Sequence, residues 1–204
     1  MFMKTLVSVI SLVAILALAT MPVAMARDVK FRLPVGGLLN PPISYYYDND
    51  TRASARKYDC TRNRVYNNHR GTDFRTGPNS VPVFAAAPGE ISSRLDGCPN
   101  VGFLGSACGG GFGNNVRVNH GDGWTTIYAH LKSATGVYPA DLLCFGTCPQ
   151  LGDSGSSGNS SGPHLHFEVR KYAYPNNDPF SGRCSGNVSF WNQMANGMPT
   201  TVCM

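Results

Sequence analysis

The chain has 204 residues, 42% hydrophobic and only 14% charged, which supports one ordinary domain with a core and excludes a disordered, charge-rich chain. Its 17 Lys and Arg outweigh 12 Asp and Glu for a net charge of +5, with no basic cluster of the kind that grips nucleic acid. So modest a surplus fits weak attraction to anionic polymers and carboxylates, and it fits solubility alone equally well.

Residues 1–26 carry Lys4, an apolar run over 6–19 and the small-x-small triplet Ala24-Met25-Ala26. This predicts an N-terminal signal helix cleaved after Ala26; the short run and Pro22 argue against a membrane anchor. No cysteine sits at the cleavage point, so no bacterial lipid anchor is expected. Loss of Lys4 lowers the net charge by one. The organisation expected is a signal over 1–26, one domain over 27–175 and a tail over 176–204.

Abundant Gly and Pro, 23 and 14 residues, punctuate short apolar runs, and no helical period of any length follows the signal. The fold class expected is therefore mostly β: a single domain of antiparallel sheet with long loops forming a groove. Residues 29–35 alternate and end in Gly36-Gly37, which predicts a first strand, and Asn40-Pro41-Pro42 predicts a turn. Tyr45-Tyr46-Tyr47 opens an arginine-rich stretch to Asn68 with little apolar period, read as a long ordered loop. The tyrosines are read as packing on a sheet surface, with stacking of a sugar or peptide as the alternative.

His69-Arg70-Gly71-Thr72-Asp73 places a histidine and a carboxylate four apart, but Gly71, Thr72 and Asn67-Asn68 weaken a helix, so a loop running into a strand over 72–74 is expected. Residues 81–87 and 90–93 read as two strands about a tight turn at Pro88-Gly89. Residues 115–119 and 124–130 read as a hairpin, with His120 in its turn rather than among ligands. Asn114 lies in the bend Gly111-Phe112-Gly113-Asn114-Asn115 and is expected to satisfy backbone groups there. Residues 137–148 bridge to 154–162, which by composition alone is a flexible linker.

Ser161-Gly162-Pro163-His164-Leu165-His166-Phe167-Glu168-Val169-Arg170 alternates strictly, the mark of a strand with two unlike faces. Leu165, Phe167 and Val169 form a core face; His164, His166 and Glu168 line a polar groove. Two imidazoles on one side of a strand in an exported chain point to at least one metal-binding ring nitrogen, against the plainer reading of two surface histidines. The seven cysteines all follow the signal and suit an oxidising compartment. Proximity favours Cys98 with Cys108, Cys144 with Cys148, and Cys184 with Cys203, which would tie down the tail and leave Cys60 as the odd thiol. No Cys-x-x-Cys supports a zinc-thiolate site.

His69-x-x-x-Asp73, then His130 in Tyr128-Ala129-His130-Leu131, then His164-x-His166 use four of the chain's five histidines. In this order, over residues 31–170, they resemble the lysostaphin and LytM-type zinc metallopeptidases, the beta-lytic-like endopeptidases of bacterial peptidoglycan. The resemblance implies one Zn2+ per chain, held by His69, Asp73 and His166, with His130 and His164 catalytic: one takes a proton from the zinc water, the other donates to the oxyanion or leaving amine. It also turns 154–162 into a wall of the substrate groove. Independently, His164 shares its strand face with His166. Glu168 is read as a partner behind the site or a simple strand-end charge, and it is the runner-up as base. No His-Glu-x-x-His helix and no Gly-x-Ser-x-Gly elbow is present.

The resemblance thus implies a secreted or periplasmic zinc endopeptidase cutting stem peptides or cross-bridges of peptidoglycan. It is expected to act as a monomer, without nucleic acid and without stable membrane association once the signal is gone. A non-catalytic wall-binding module of the same fold and a secreted protease for glycine-rich proteins are the alternatives.

Overall fold

The strand that carries the histidine pair lies inside the sheet, with neighbours on both sides. In the computed structural model, residues 29–36, 41–52, 54–134, 141–142, 148–172, 176–186 and 188–191 are described; the expected signal over 1–26 and the Asn40 turn residue lie outside them. Ten strands run through these residues: β1 Ile43–Tyr45, β2 Thr72–Arg75, β3 Pro82–Phe84, β4 Gly89–Leu95 and β5 Asn114–Gly121, then β6 Trp124–Ser133, β7 Asp141–Leu142, β8 Gln150–Ser154, β9 His164–Lys171 and β10 Asn176–Asn177. They pair antiparallel in the order β1-β2-β9-β6-β5-β4-β7, with β10 on β9 and with β8 joining β3 to the far end of β6. The mostly β, antiparallel expectation holds; the helical content of the described residues is one 3-10 turn, Cys108–Gly111.

Strand β9 obeys its alternation. Leu165, Phe167 and Val169 are buried at 0–1% exposure and pack with Phe31, Phe74, Tyr128 and Trp191. Each such side chain contributes about 1.5–3 kcal/mol of burial, and a one-residue slip would turn the histidines into this core, so the register is strongly fixed. In that register β2 sets Asp73 opposite His166, and β6 sets Ala129 opposite the same histidine. Directly opposed residues share a face at about 5 Å between Cβ atoms, which brings the Asp73 carboxylate to the His166 ring.

Several expectations are corrected. Residues 29–35 do not form the alternating strand expected: 31–35 are all buried and make only isolated bridges, Phe31 to Trp191 and Val35 to Val83, while the Phe31 and Arg32 N–H groups donate to the carbonyls of Phe190 and Ala86. The two strands read around Pro88-Gly89 exist, but they do not pair with each other: β3 pairs with β8, and β4 with β5 and β7. The serine and glycine stretch is no loose linker, for Ser154, Ser157 and Ser160 are at most 1% exposed. Side-chain oxygens of Asn100 and Asn159 accept backbone N–H groups at Ser156 and Gly105, and these bonds hold the stretch against its neighbour.

The cysteine pairing is also revised. Cys98 is bonded to Cys108 as expected, but Cys60 is not a free thiol: it bridges to Cys184, 124 residues away. Spacing cannot reveal that link, because it depends on the tail folding back on the 46–68 loop, where Tyr58 stacks on Phe180 at 5.2 Å and its carbonyl accepts the Cys184 N–H. Cys184 is therefore not tied to Cys203, which lies outside the described residues. Cys148 is disulfide-bonded, and its expected partner Cys144 also lies outside them.

Candidate metal centre and groove

His69, Asp73 and His166 each present one donor atom to a common point, all three within 4.8 Å of one another and all buried. Nε2 of His69 is 3.2 Å and Nδ1 of His166 is 2.8 Å from the same oxygen, Oδ1 of Asp73. The loop before β2 delivers His69; the cross-strand register of β2 and β9 delivers the other two. Gly71 makes the arrangement sterically possible: a Cβ there would stand 2.8 Å from the His166 ring and 2.7 Å from the Phe167 carbonyl.

The outer nitrogens of both rings are engaged. His69 Nδ1–H donates to the Tyr46 carbonyl at 2.8 Å, and His166 Nε2–H donates to Glu168 Oε1 at 3.1 Å. Glu168 is in turn held by Arg170, whose Nε donates to Oε2 at 2.7 Å. With those protons outside, the inward lone pairs of two imidazoles and one carboxylate form a donor set suited to a divalent cation, backed by the outer hydrogen bonds that such ligands use.

The electrostatics ask for positive charge at the same point. Burial pushes the Asp73 carboxyl up, but hydrogen bonds from His166 and His69 overcome it and hold the group well below the usual carboxylate range. Burial likewise disfavours a charged His166, yet its bonds to Asp73 and Glu168 raise that ring to about 10. A proton on His166 thus occupies the electrostatic place that a cation would take between two carboxylates.

Two further histidines border the centre. His130 interrupts β6 with a φ of +59°, a left-handed conformation that costs a non-glycine residue about 1–2 kcal/mol. Its N–H donates to the Phe112 carbonyl, and beyond it β6 leaves β9 and pairs with β8. Nδ1 of His130 donates to the Ser157 carbonyl at 2.8 Å, while Nδ1 of His164 donates to the Gly162 carbonyl at 2.8 Å. Both rings therefore keep an Nε2 lone pair; that of His164 lies 3.8 Å from Asp73, and the two rings are 4.8 Å apart. Burial lowers both, His130 to about 3 with help from His166 and His164, so both are neutral proton acceptors near pH 7.

The groove beside them has a volume of about 220 Å³ and is lined by Tyr66, Asn68, Arg70, Phe112 and Asn159 as well as His130, His166 and Glu168. The 154–162 stretch closes on it because Gly113, at φ +64°, has its Cα where any side chain would strike Ser157. Asn114 differs from expectation: its side chain binds not the bend but the backbone of Cys98, Leu131 and Lys132, and it is Asn115 that bonds the Gly113 carbonyl within the bend. His120 stands apart, at the end of β5, bonded to the Pro88 carbonyl and the Thr126 hydroxyl. The groups that sequence reasoning missed are mainly the carbonyls of Tyr46, Ser157 and Gly162; a backbone acceptor leaves no mark in residue type.

The sequence pattern of peptidase family M23 matches residues 67–180, more than half of the chain. This chain belongs to peptidase family M23. Among relatives of this M23 chain, the cell division protein DipM of Caulobacter vibrioides is 40% identical over 93 residues, 46% of this chain and 13% of that one. The peptidoglycan DD-endopeptidase ShyA of Vibrio cholerae is 31% identical over 101 residues, 50% of this chain and 20% of that one. The M23 chain thus matches a fifth or less of the length of either relative. Among solved structures, the SpoIIQ–SpoIIIAH pore-forming complex is similar at a TM-score of 0.54 and 22% identity, over 75% of this chain and 90% of that one. That likeness is one of fold. No helix among the described residues is long and apolar enough to cross a membrane.

Proposed function

We propose that this M23 chain is an exported zinc-dependent endopeptidase that hydrolyses peptide bonds in bacterial peptidoglycan. The observation that carries the reading is the donor set itself: two imidazole nitrogens and one carboxylate oxygen within 4.8 Å, each ring steered by an outer hydrogen bond. Zinc bound by His69, Asp73 and His166 would supply Lewis acidity toward the scissile carbonyl and water activated at neutral pH. Nitrogen and oxygen donors without thiolate suit zinc, and three protein ligands are the number used where one position stays open for chemistry.

His130 and His164 do the proton work. Each is neutral near pH 7 and has its tautomer fixed by a backbone carbonyl, which leaves an Nε2 lone pair, so one can accept a proton from the attacking water and, as the imidazolium so formed, return that proton to the departing amine. The carbonyl bonds also limit ring rotation, which keeps both nitrogens aligned without substrate. A peptide lying in the groove would meet Tyr66, Arg70 and Asn159 on its walls. Similarity to ShyA, a peptidoglycan DD-endopeptidase, supports a wall peptide as substrate. The Lys4, apolar-run and Ala24-Met25-Ala26 pattern supports export.

Purified cell walls provide the test. Their turbidity falls with the pure protein, stops falling with a chelator and falls again when zinc is restored. Walls that stay turbid with fully zinc-loaded protein would refute the reading.

A further inference from the structure

We propose that Arg56, Arg62 and Arg64 form an anion-binding subsite beside the groove, which anchors oxyanions carried by the substrate polymer. The inference deepens the peptidase reading and rests on it. Arg56 and Arg62 face each other across an isolated antiparallel bridge. Side chains so opposed project from one face at about 5 Å between Cβ atoms, and like charges there destabilise the pair. Arg64 follows two residues after Arg62, with the buried Asn63 between, so it projects on the same side. All three arginines are exposed.

Their charge is poorly answered from within. The guanidinium groups of Arg62 and Arg64 make no hydrogen bond or ion pair among the described residues, and Arg56 reaches only the Cys60 carbonyl, at 3.4 Å. The nearby carboxylates make their direct bonds elsewhere: Asp50 pairs with Arg52 at 3.3 Å and acts on Arg56 only through space, and Asp59 accepts from the N–H and hydroxyl of Thr61. Beside the arginines lies a cavity of about 400 Å³ lined by Ser54, Arg62, Asn63, Arg64 and Asn67, a wall rich in donors. Guanidinium forks match carboxylate and phosphate oxygens in geometry and charge, and no other common ligand class answers three cations at once.

Position ties this cavity to the reaction. Val65 and Asn67 face the cavity, whereas Tyr66 and Asn68 face the groove, so the 65–68 segment is one wall shared by both. A polymer whose peptide lies in the groove brings a neighbouring anionic group over a wall one chain thick. The subsite would act on capture of the polymer, not on bond cleavage.

The test compares wild type with R62Q/R64Q on three preparations of the same walls: native, carboxyl-amidated, and stripped of phosphate polymers by hydrofluoric acid. On native walls the half-saturating wall concentration of the variant rises about tenfold with the maximal rate unchanged. Wild type loses the same factor on the one preparation that lacks the recognised anion, amidated walls for a carboxylate or stripped walls for a phosphate, and there the variant matches it. R62K/R64K, which keeps the charges without the forks, falls between. Half-saturation within twofold of wild type on native walls, or a fall in maximal rate alike on all three, would overturn the subsite. If wild type cleaves none of them, the peptidase reading has failed. Co-sedimentation with native walls then still decides the subsite, through the same tenfold loss or its absence.

Discussion

Replacing Glu168 by Gln isolates what the charge behind His166 does for the candidate metal centre. The carboxylate is 2% exposed, accepts from His166 Nε2 at 3.1 Å and from Arg170 Nε at 2.7 Å, and lies on the same strand face as the donor atoms. A glutamine keeps the length and leaves an amide oxygen able to accept the imidazole proton, so the ring stays oriented. What disappears is one negative charge and the charge-assisted part of the bond. Loss of such an outer partner typically lowers metal affinity 10- to 100-fold, about 1.4–2.7 kcal/mol. Zinc competition against a chromogenic chelator at fixed pH measures it, and Glu168→Ala serves as a second arm. The alanine strands Arg170 and the His166 N–H as well, so it lowers the melting temperature more than the glutamine does. Zinc affinity of Glu168→Gln within twofold of wild type would refute the role assigned to this charge.

Three other outcomes are expected. His69→Ala and Asp73→Asn lose both zinc and wall cleavage, whereas His164→Ala loses cleavage and keeps most of its zinc; metal analysis alongside a turbidity assay separates the classes. Burial pushes the Asp178 carboxyl up to about 6 against hydrogen bonds from Asn49 and the Phe180 N–H. The folded chain then holds this proton more tightly than the unfolded one, so its contribution to stability falls as pH rises from about 4 to 6, by about 3 kcal/mol, and is level above. Asp178→Asn should gain stability over wild type as pH climbs through that window, and a difference in denaturation free energy equal at pH 4 and 7 would contradict this. The Cys60–Cys184 bridge closes a loop of 124 residues, so the double serine variant should lose about 4–5 kcal/mol in equilibrium unfolding, and full retention of stability would show that the bridge adds nothing.

What could be read from the chain and what could not divide along physical lines. Strand β9 was legible because period-two alternation sorts side chains onto faces, and the histidines and Leu165, Phe167 and Val169 take the faces assigned to them. The β5–β6 hairpin was legible because its turn is local. Pairing between distant strands was not: Pro88-Gly89 promised a hairpin, yet β4 found a longer partner in β5 and β3 fell to β8. The link from Cys60 to Cys184 was hidden for the same reason. The serine and glycine stretch misled on composition, since small polar residues leave a chain loose only when nothing binds its backbone. Here Asn100, Asn159 and the Asn114 N–H, which donates to Ser157 Oγ at 2.9 Å, tie it down.

Backbone bonds of this kind also keep the groove in shape. Of the four histidines around it, three rest their outer nitrogen on a backbone carbonyl: His69 on Tyr46, His130 on Ser157 and His164 on Gly162. Only His166 relies on a side chain. A carbonyl cannot be mutated away, so the orientation of three rings depends on the course of the loops that carry those carbonyls. Asn63, buried at 3% exposure, bonds the Tyr46 carbonyl that also receives His69, and Ser157 Oγ bonds the Leu131 carbonyl on β6, next to His130. Polar residues in these loops therefore act on the rings at one remove. The positive φ of His130 is tolerated for the same reason, because Phe112 and Ser157 hold the residue from both ends and the strand regains partners in β8 immediately beyond it. The β-sheet fixes where His130, His164 and His166 originate, and the loops that carry the Tyr46, Ser157 and Gly162 carbonyls fix where three of the four rings point.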